Sequence, residues 1–315
     1  MKNKNKNQSK NIYLLMLLVP LFWGGAFATA KHVITEVPPL VAATLRFGIT
    51  GIILVTIITI QQEWQWHVIR DRWKGLVFIG FIGIFGYNAF FFTALKYTSA
   101  TNGALIIAAM PVFTMIGAVM LGKEKWNTKT GAGLTLSMIG VIIVLVKGSL
   151  SDLFSLSFNL GDLLFVGALL CGVIYALMGE SMLKGIPVML SNTMMMLSGA
   201  VFLAISTVFE GGWGQVVNMS IQSWIEMFYM VVCGTLIGYV IFNKGVESLG
   251  GSKASVYLNL TPIVATLIAV IVYGSPITLI QIVGMVLVLV GVYIATNKTN
   301  NVFSTQSDKS IIENT

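Results

Sequence analysis

Long uncharged apolar runs constrain this chain more than any other feature. Ten of them can be marked out, at about residues 12–30, 38–60, 75–95, 100–121, 130–147, 161–179, 188–208, 223–243, 254–273 and 277–296. A helix needs about 20 apolar residues to cross roughly 30 Å of hydrocarbon. Ten spans of that size take up most of the 315 residues, and no connection is long enough to fold as a soluble domain. Charge usage agrees: 10% of residues are charged, against roughly a quarter in a soluble domain. A water-soluble globular protein is thereby excluded, and the chain reads as an all-α integral membrane protein.

The net charge of +7 could suggest a nucleic-acid partner, but its distribution argues against one. Lys and Arg sit in short clusters between apolar runs, as orientation signals do. With the N-terminus inside, 15 basic residues fall in inside segments and three (Lys31, Lys96, Lys147) outside, while Arg46 lies within the second run. That bias places both termini in the cytoplasm of a multi-pass cell-membrane protein. Trp64, Trp66, Trp73, Trp126, Trp213 and Trp224 fall near span ends, where an indole suits the headgroup boundary. The first run has a basic start and an Ala28-Thr29-Ala30 sequence, like a signal peptide. Its apolar stretch exceeds the usual 7–15 residues or so, and it is read as a retained span.

An internal repeat runs at an offset of 151 residues. Ala94-Leu95 aligns with Gly245-Val246, Pro111-Val112 with Pro262-Ile263, Gly133 with Gly284, and Gly140-Val141 with Gly291-Val292. Each copy then holds five spans, and an odd number makes the second copy enter the membrane from the opposite side. The charges fit: Arg70, Arg72 and Lys74 inside correspond to Ile221, Ser223 and Ile225 outside. The expected architecture is ten transmembrane helices as two inverted five-helix repeats. Residues 12–147 form the first repeat, 148–160 an outer linker and 161–296 the second repeat, with polar tails at 1–11 and 297–315.

Two halves of opposite orientation can exchange conformations, which secondary transporters use for alternating access around a midplane site. Other kinds of membrane protein lack their signatures here. No GxxxxGK[ST] phosphate loop, HExxH or GxSxG is present. Cys171 and Cys233 with His32 and His67 give no disulfide framework or metal-ligand spacing. No enzyme activity, cofactor, metal or nucleic-acid partner is expected. The leading reading is a secondary transporter that exports a small metabolite such as an amino acid. The alternative is a non-transporting ligand sensor or partner protein, for which the tails offer no output domain. Protons are a possible coupling ion, with uniport or exchange left open.

Polar groups inside a span are costly unless they face a partner or water. Ser255 and Asn259 share a face of span 9, as do Tyr239 and Asn243 of span 8. Span 3 adds Tyr87 and Asn88, span 4 Asn102, span 6 Tyr175 and span 1 Trp23. These nine residues are the candidates for a shared substrate-binding cavity, with interhelical packing as the alternative role of each. Pro111 and Pro262 occupy matching positions and are candidate hinges, since a mid-helix proline removes one backbone hydrogen bond. Arg46, inside span 2, is a candidate charge partner for an anionic group, or else snorkels outward.

The sequence resembles an EamA-type member of the drug/metabolite transporter superfamily. The matching pieces are Trp23-Gly24-Gly25-Ala26-Phe27 with Lys31, Arg46-Phe47, Ala94-Leu95 to Ser99-Ala100, Pro111 through Leu121-Gly122-Lys123-Glu124, Gly161-Asp162-Leu163-Leu164, and Pro262 in the second copy. The resemblance covers about residues 12–296. It implies a ten-helix inverted-repeat transporter, often an exporter of amino acids or other small metabolites, with a cavity lined mainly by spans 1, 3, 4, 6, 8 and 9. The chain departs from the pattern at Gly274-Ser275, where relatives often keep Gly-Glu, and at Cys171-Gly172, where Trp-Ala is common.

Overall fold

A computed structural model describes residues 12–145, 159–264, 266–267 and 277–296. The two tails and nearly all of the 148–160 linker lie outside the described residues. What is described is helical, with no strand among the described residues. In chain order the helices are α1 (Ile12–Val33), α2 (Pro39–Ile60), α3 (Trp66–Tyr97), α4 (Ala100–Ile107 and Met110–Met120), α5 (Thr128–Leu145) and α6 (Leu160–Met182). There follow α7 (Val188–Glu210), α8 (Ile221–Leu249), α9 (opening with Gly251–Val256) and α10 (Leu279–Thr296). Among the described residues, eight stretches, in α1 to α4, α6 to α8 and α10, are long and apolar enough to cross a membrane. Their outward side chains suit lipid: Ile60, Val208, Phe209 and Leu279 are each at least 75% exposed, a surface that would aggregate in water.

Helix ends follow local chemistry. Pro39 starts α2 at a position where its missing N–H costs nothing. Ser99 caps α4 by accepting from the Asn102 amide, and Ser220 caps α8 by accepting from the Ser223 amide. Asn159 and Asp162 form a reciprocal capping box at the start of α6. Helix α3 begins at Trp66, well before the apolar run expected from residue 75. The additional turns carry Arg70, Arg72 and Lys74, exposed on the helix surface.

The helices are not uniform. Helix α3 widens to a π-helix over Gly80–Gly86 and α8 does so over Met230–Ile237. Helix α4 breaks at Ala108-Ala109, and α9 tightens to a 3-10 turn over Tyr257–Leu260. These irregularities recur at positions close to 151 residues apart. The two prolines sit just after the breaks rather than inside a continuous helix. Pro111 occupies the first turn of the second α4 segment. Pro262 follows the 3-10 turn, in which the Thr261 N–H donates to the Leu258 carbonyl that proline cannot serve.

Away from these irregular helices, α5 and α10 pack backbone to backbone. A Cβ on Gly133 would lie 2.7 Å from the Gly291 carbonyl oxygen, and one on Gly140 would lie 2.6 Å from that of Gly284. The contacts are reciprocal across the 151-residue offset: the earlier glycine of each helix meets the later glycine of the other. Replacing Gly291 by Leu is expected to lower stability by about 1–3 kcal/mol, because the added side chain has no room. Thermal unfolding in detergent checks this, with Val290→Leu on the exposed side of α10 expected to behave as the original chain.

Candidate functional site

The kinked helices surround a cavity in the middle of the bundle. Its empty volume, counted out to its open mouth, is about 880 Å³. Helix α1 supplies Trp23 and Phe27, and α2 supplies Arg46. From α3 come Gly83, Tyr87, Asn88 and Phe91; from α4, Ile107, Ala108 and Met110. Tyr175 enters from α6, Tyr239 and Phe242 from α8, and Leu258, Thr261 and Pro262 from α9. The lining therefore draws on both π-segments or their flanks and on both helix breaks.

Aromatic rings make two walls. Trp23 lies 5.3 Å from Tyr239 and 5.2 Å from Phe242, ring centre to ring centre, and Tyr175 stacks on Phe242 at 6.4 Å. Phe27 meets Phe91 edge-on at 4.9 Å, and Tyr87 stacks on Phe91 at 6.0 Å. The Trp23 indole N–H donates to the Gly234 carbonyl at 2.7 Å. That carbonyl belongs to the α8 π-segment, where the changed backbone register leaves carbonyls open to other donors. Bare glycines bring the rings in: a Cβ on Gly83 would overlap the Tyr175 ring at 2.0 Å, and one on Gly238 would press the Trp23 indole nitrogen at 2.8 Å.

A polar chain anchors this wall from behind. The Tyr175 hydroxyl donates to Asn243 Oδ1 at 2.5 Å, and Asn243 Nδ2 donates to Asn192 Oδ1 at 2.8 Å. It links α6, α8 and α7 through buried groups that find their partners in one another.

Of the residues singled out from sequence, Trp23, Tyr87, Asn88, Tyr175 and Tyr239 line the cavity, together with Arg46 and Pro262. Asn102, Asn243, Ser255, Asn259 and Pro111 lie outside that lining. Asn102 donates to Thr98 Oγ1 at 3.1 Å beside the α6 cap. Ser255 bonds its own helix at the Ser252 carbonyl, and Asn259 donates to Ser137 Oγ on α5 at 2.8 Å. Arg46 does not snorkel: it is 5% exposed, and its Nε donates to Thr235 Oγ1 at 2.7 Å. The search for polar groups overlooked Phe27, Phe91 and Phe242. Their signal was helical spacing from residues already chosen: Phe27 follows Trp23 by four, Phe91 follows Tyr87 by four, and Phe242 follows Tyr239 by three.

Charged and capping contacts join the helices at one end of the bundle. His32 Nδ1 and Glu226 Oε2 are 2.7 Å apart, joining α1 to α8. Glu36 accepts from the Ser220 amide at 2.7 Å and from its hydroxyl at 2.6 Å, and these bonds hold its carboxyl below the usual carboxylate range. Lys31 Nζ donates to the Leu95 and Thr98 carbonyls at the end of α3. At the opposite end, Lys123 Nζ donates to the Leu177 carbonyl of α6.

The profile of the EamA-like transporter family matches twice, over residues 10–146 and 159–297. The chain belongs to that family. The EamA-like chain is 33% identical over 285 residues to an uncharacterized transporter, YyaM, of Bacillus subtilis, covering 90% of this chain and 93% of that one. It is 25% identical to a probable amino-acid metabolite efflux pump of Salmonella typhimurium, over 89% of this chain and 93% of the pump. A crystal structure superposes on it with a TM-score of 0.74 at 19% identity, covering 91% of this chain and 98% of the other, which shows the shared fold. The EamA-like chain is thus a multi-pass membrane protein of a transporter family.

Within its cavity the Tyr175 anchor can be tested directly. Tyr175→Phe keeps the ring but leaves Asn243 Oδ1 without its donor. The expected cost is about 1–3 kcal/mol, read as a lower unfolding temperature in detergent. Tyr293→Phe, on the exposed face of α10, is expected to change nothing.

Proposed function

We propose that this protein is a secondary transporter that carries a small metabolite, such as an amino acid, out of the cell by alternating access around the central cavity, and that it is not an enzyme. One observation carries the reading. The cavity lies where the irregular segments of α3, α4, α8 and α9 meet, and those segments recur at the 151-residue offset of the sequence repeat. Such pairs of deformable helices are what rocking of two related halves about a fixed site requires. Support for the ten-helix, two-repeat architecture comes from the double family match and from the reciprocal glycine contacts of α5 and α10. Support for export comes from the relative named as an efflux pump.

In this reading the protein sits in the cell membrane with both termini cytoplasmic, which the distribution of Lys and Arg supports. The end joined by His32–Glu226, Glu36–Ser220 and Lys31 then faces outward, and the end held by Lys123 faces the cytoplasm. The lining contains no carboxylate and no histidine, so facilitated diffusion or exchange is preferred over proton coupling.

Comparison of the medium from cells expressing the original chain and Trp23→Ala, at equal membrane level, tests the function. A compound enriched outside only with the original chain is expected, with enrichment reduced about tenfold or more in the variant, as for removal of an aromatic anchor. Equal media refute export. With the compound in hand, collapsing the pH gradient is expected to leave its accumulation unchanged; a fall would establish proton coupling instead.

A further inference from the structure

Arg46 is the one charged side chain in the described lining, where all other groups are aromatic, aliphatic or neutral polar. It is 5% exposed. Arginine stays protonated in proteins, so the cavity carries a full positive charge. Yet no carboxylate among the described residues pairs with Arg46. A buried cation without a counter-charge is strongly unfavourable and within a membrane protein marks a functional position.

Its surroundings hold the guanidinium, which lies over the Phe47 ring with its carbon 5.1 Å from the ring centre, but use only part of its hydrogen-bonding capacity. Nε donates to Thr235 Oγ1 at 2.7 Å, while the Thr235 hydroxyl donates its own proton to the Met230 carbonyl at 2.8 Å. The threonine therefore can only accept from Arg46, and the contact fixes the orientation of the side chain. Nη2 passes over Gly234, where a Cβ would lie 3.1 Å away. The Nη groups make no hydrogen bond to any described residue. A guanidinium with free, parallel N–H donors is the fork that accepts a carboxylate in bidentate fashion.

Resting on the transport reading above, we propose that the cavity is a site for an apolar monocarboxylate. Its carboxylate group pairs with Arg46, and its hydrocarbon or aromatic body lies against Trp23 and Phe242. The charge balance supports a single negative group, since one guanidinium faces it and no second cation lines the cavity. It also supports an apolar body, because no Asp or Glu is present to receive a cationic one. An amino group on such an acid would meet only hydroxyls, carbonyls and ring faces, and is tolerated rather than selected. The charge has no counterpart in the second copy, where the residue 151 positions on is Leu197.

Matched acids and amides test this in the purified full-length protein: isovalerate against isovaleramide, phenylacetate against phenylacetamide, and L-leucine against L-leucinamide. The acids are expected to raise the unfolding temperature and the amides, equal in shape but without the charge, to leave it. In Arg46→Gln the acid concentration giving half the shift is expected to rise about tenfold or more. Arg46→Lys should be affected less, and Arg70→Gln, a solvent-exposed arginine, not at all. Amides as effective as acids, an undiminished acid response in Arg46→Gln, or no response of the original chain to any acid would each overturn the proposal. The acid–amide comparison uses the original chain alone, so it decides even where Arg46→Gln does not fold. Acid-specific stabilisation in a protein that moves none of these acids across liposomes would keep the site and refute transport. Transport of a neutral compound with no preference for acids would keep transport and refute the site.

Discussion

In hydrocarbon no water is available to an unpaired peptide group, so an exposed break in a helix costs several kcal/mol. Much of this structure follows from where that cost is avoided. Helices α2, α6 and α7 run unbroken. The π-segments of α3 and α8, the break in α4 and the 3-10 turn of α9 all contribute to the cavity or border residues that do. There the displaced carbonyls find partners that a lipid-facing helix could not offer, as when Gly234 accepts from the Trp23 indole and Leu258 from the Thr261 amide. Irregular backbone and binding surface coincide because the cavity is the place where irregular backbone can be satisfied.

The same constraint explains the glycines. A widened or broken helix presents an uneven surface, and its neighbour must approach closely to exclude voids. Gly83 makes room for Tyr175, and Gly234 and Gly238 make room for Arg46 and Trp23. These three large cavity groups thus rest on positions without a side chain on the facing helix. At these positions the wall is set by backbone contact rather than by flexible side chains.

Eight of the ten expected spans appear as long apolar helices among the described residues, legible because apolar runs and lipid thickness act on every residue alike. The repeat pattern stands out in the sequence because Gly133, Gly140, Pro111 and their counterparts do backbone tasks that few residue types can perform. Arg46, Trp23 and four other cavity residues were legible as costly polar or amphipathic groups in apolar runs. Asn102, Asn243, Ser255 and Asn259 carry the same sequence signal, yet the structure uses them for hydrogen bonds between or within helices. Sequence periodicity gives the face of a helix but not what lies opposite it. Nor could it show the π-segments, since Gly80–Gly86 and Met230–Ile237 read as ordinary apolar helix. Register shifts of that kind are decided by packing partners distant in sequence, here α7 and α6 for α3, and α1 and α2 for α8.

Backbone and side chains divide the work between the two copies differently. The distortions recur at the 151-residue offset, and so does part of the lining: Phe91 pairs with Phe242, Asn88 with Tyr239 and Ile107 with Leu258, whereas Trp23 corresponds to Ile174, Arg46 to Leu197 and Tyr87 to Gly238. In the transport reading proposed above, paired irregular helices would allow two states of similar energy, since each half could adopt the conformation of the other. A symmetric lining would add nothing to that and would give an asymmetric molecule no unique pose. In the proposed site, one charge on one side with aromatic surface around it would orient a ligand that has a single polar end. The asymmetry of the proposed site thus rests on Arg46, Trp23 and Tyr87, while the aromatic pair Phe91 and Phe242 is common to both halves. Substitutions at Arg46 or Trp23 therefore touch the lining without touching a helix break, while Ala108, Leu258 and Pro262 belong to both.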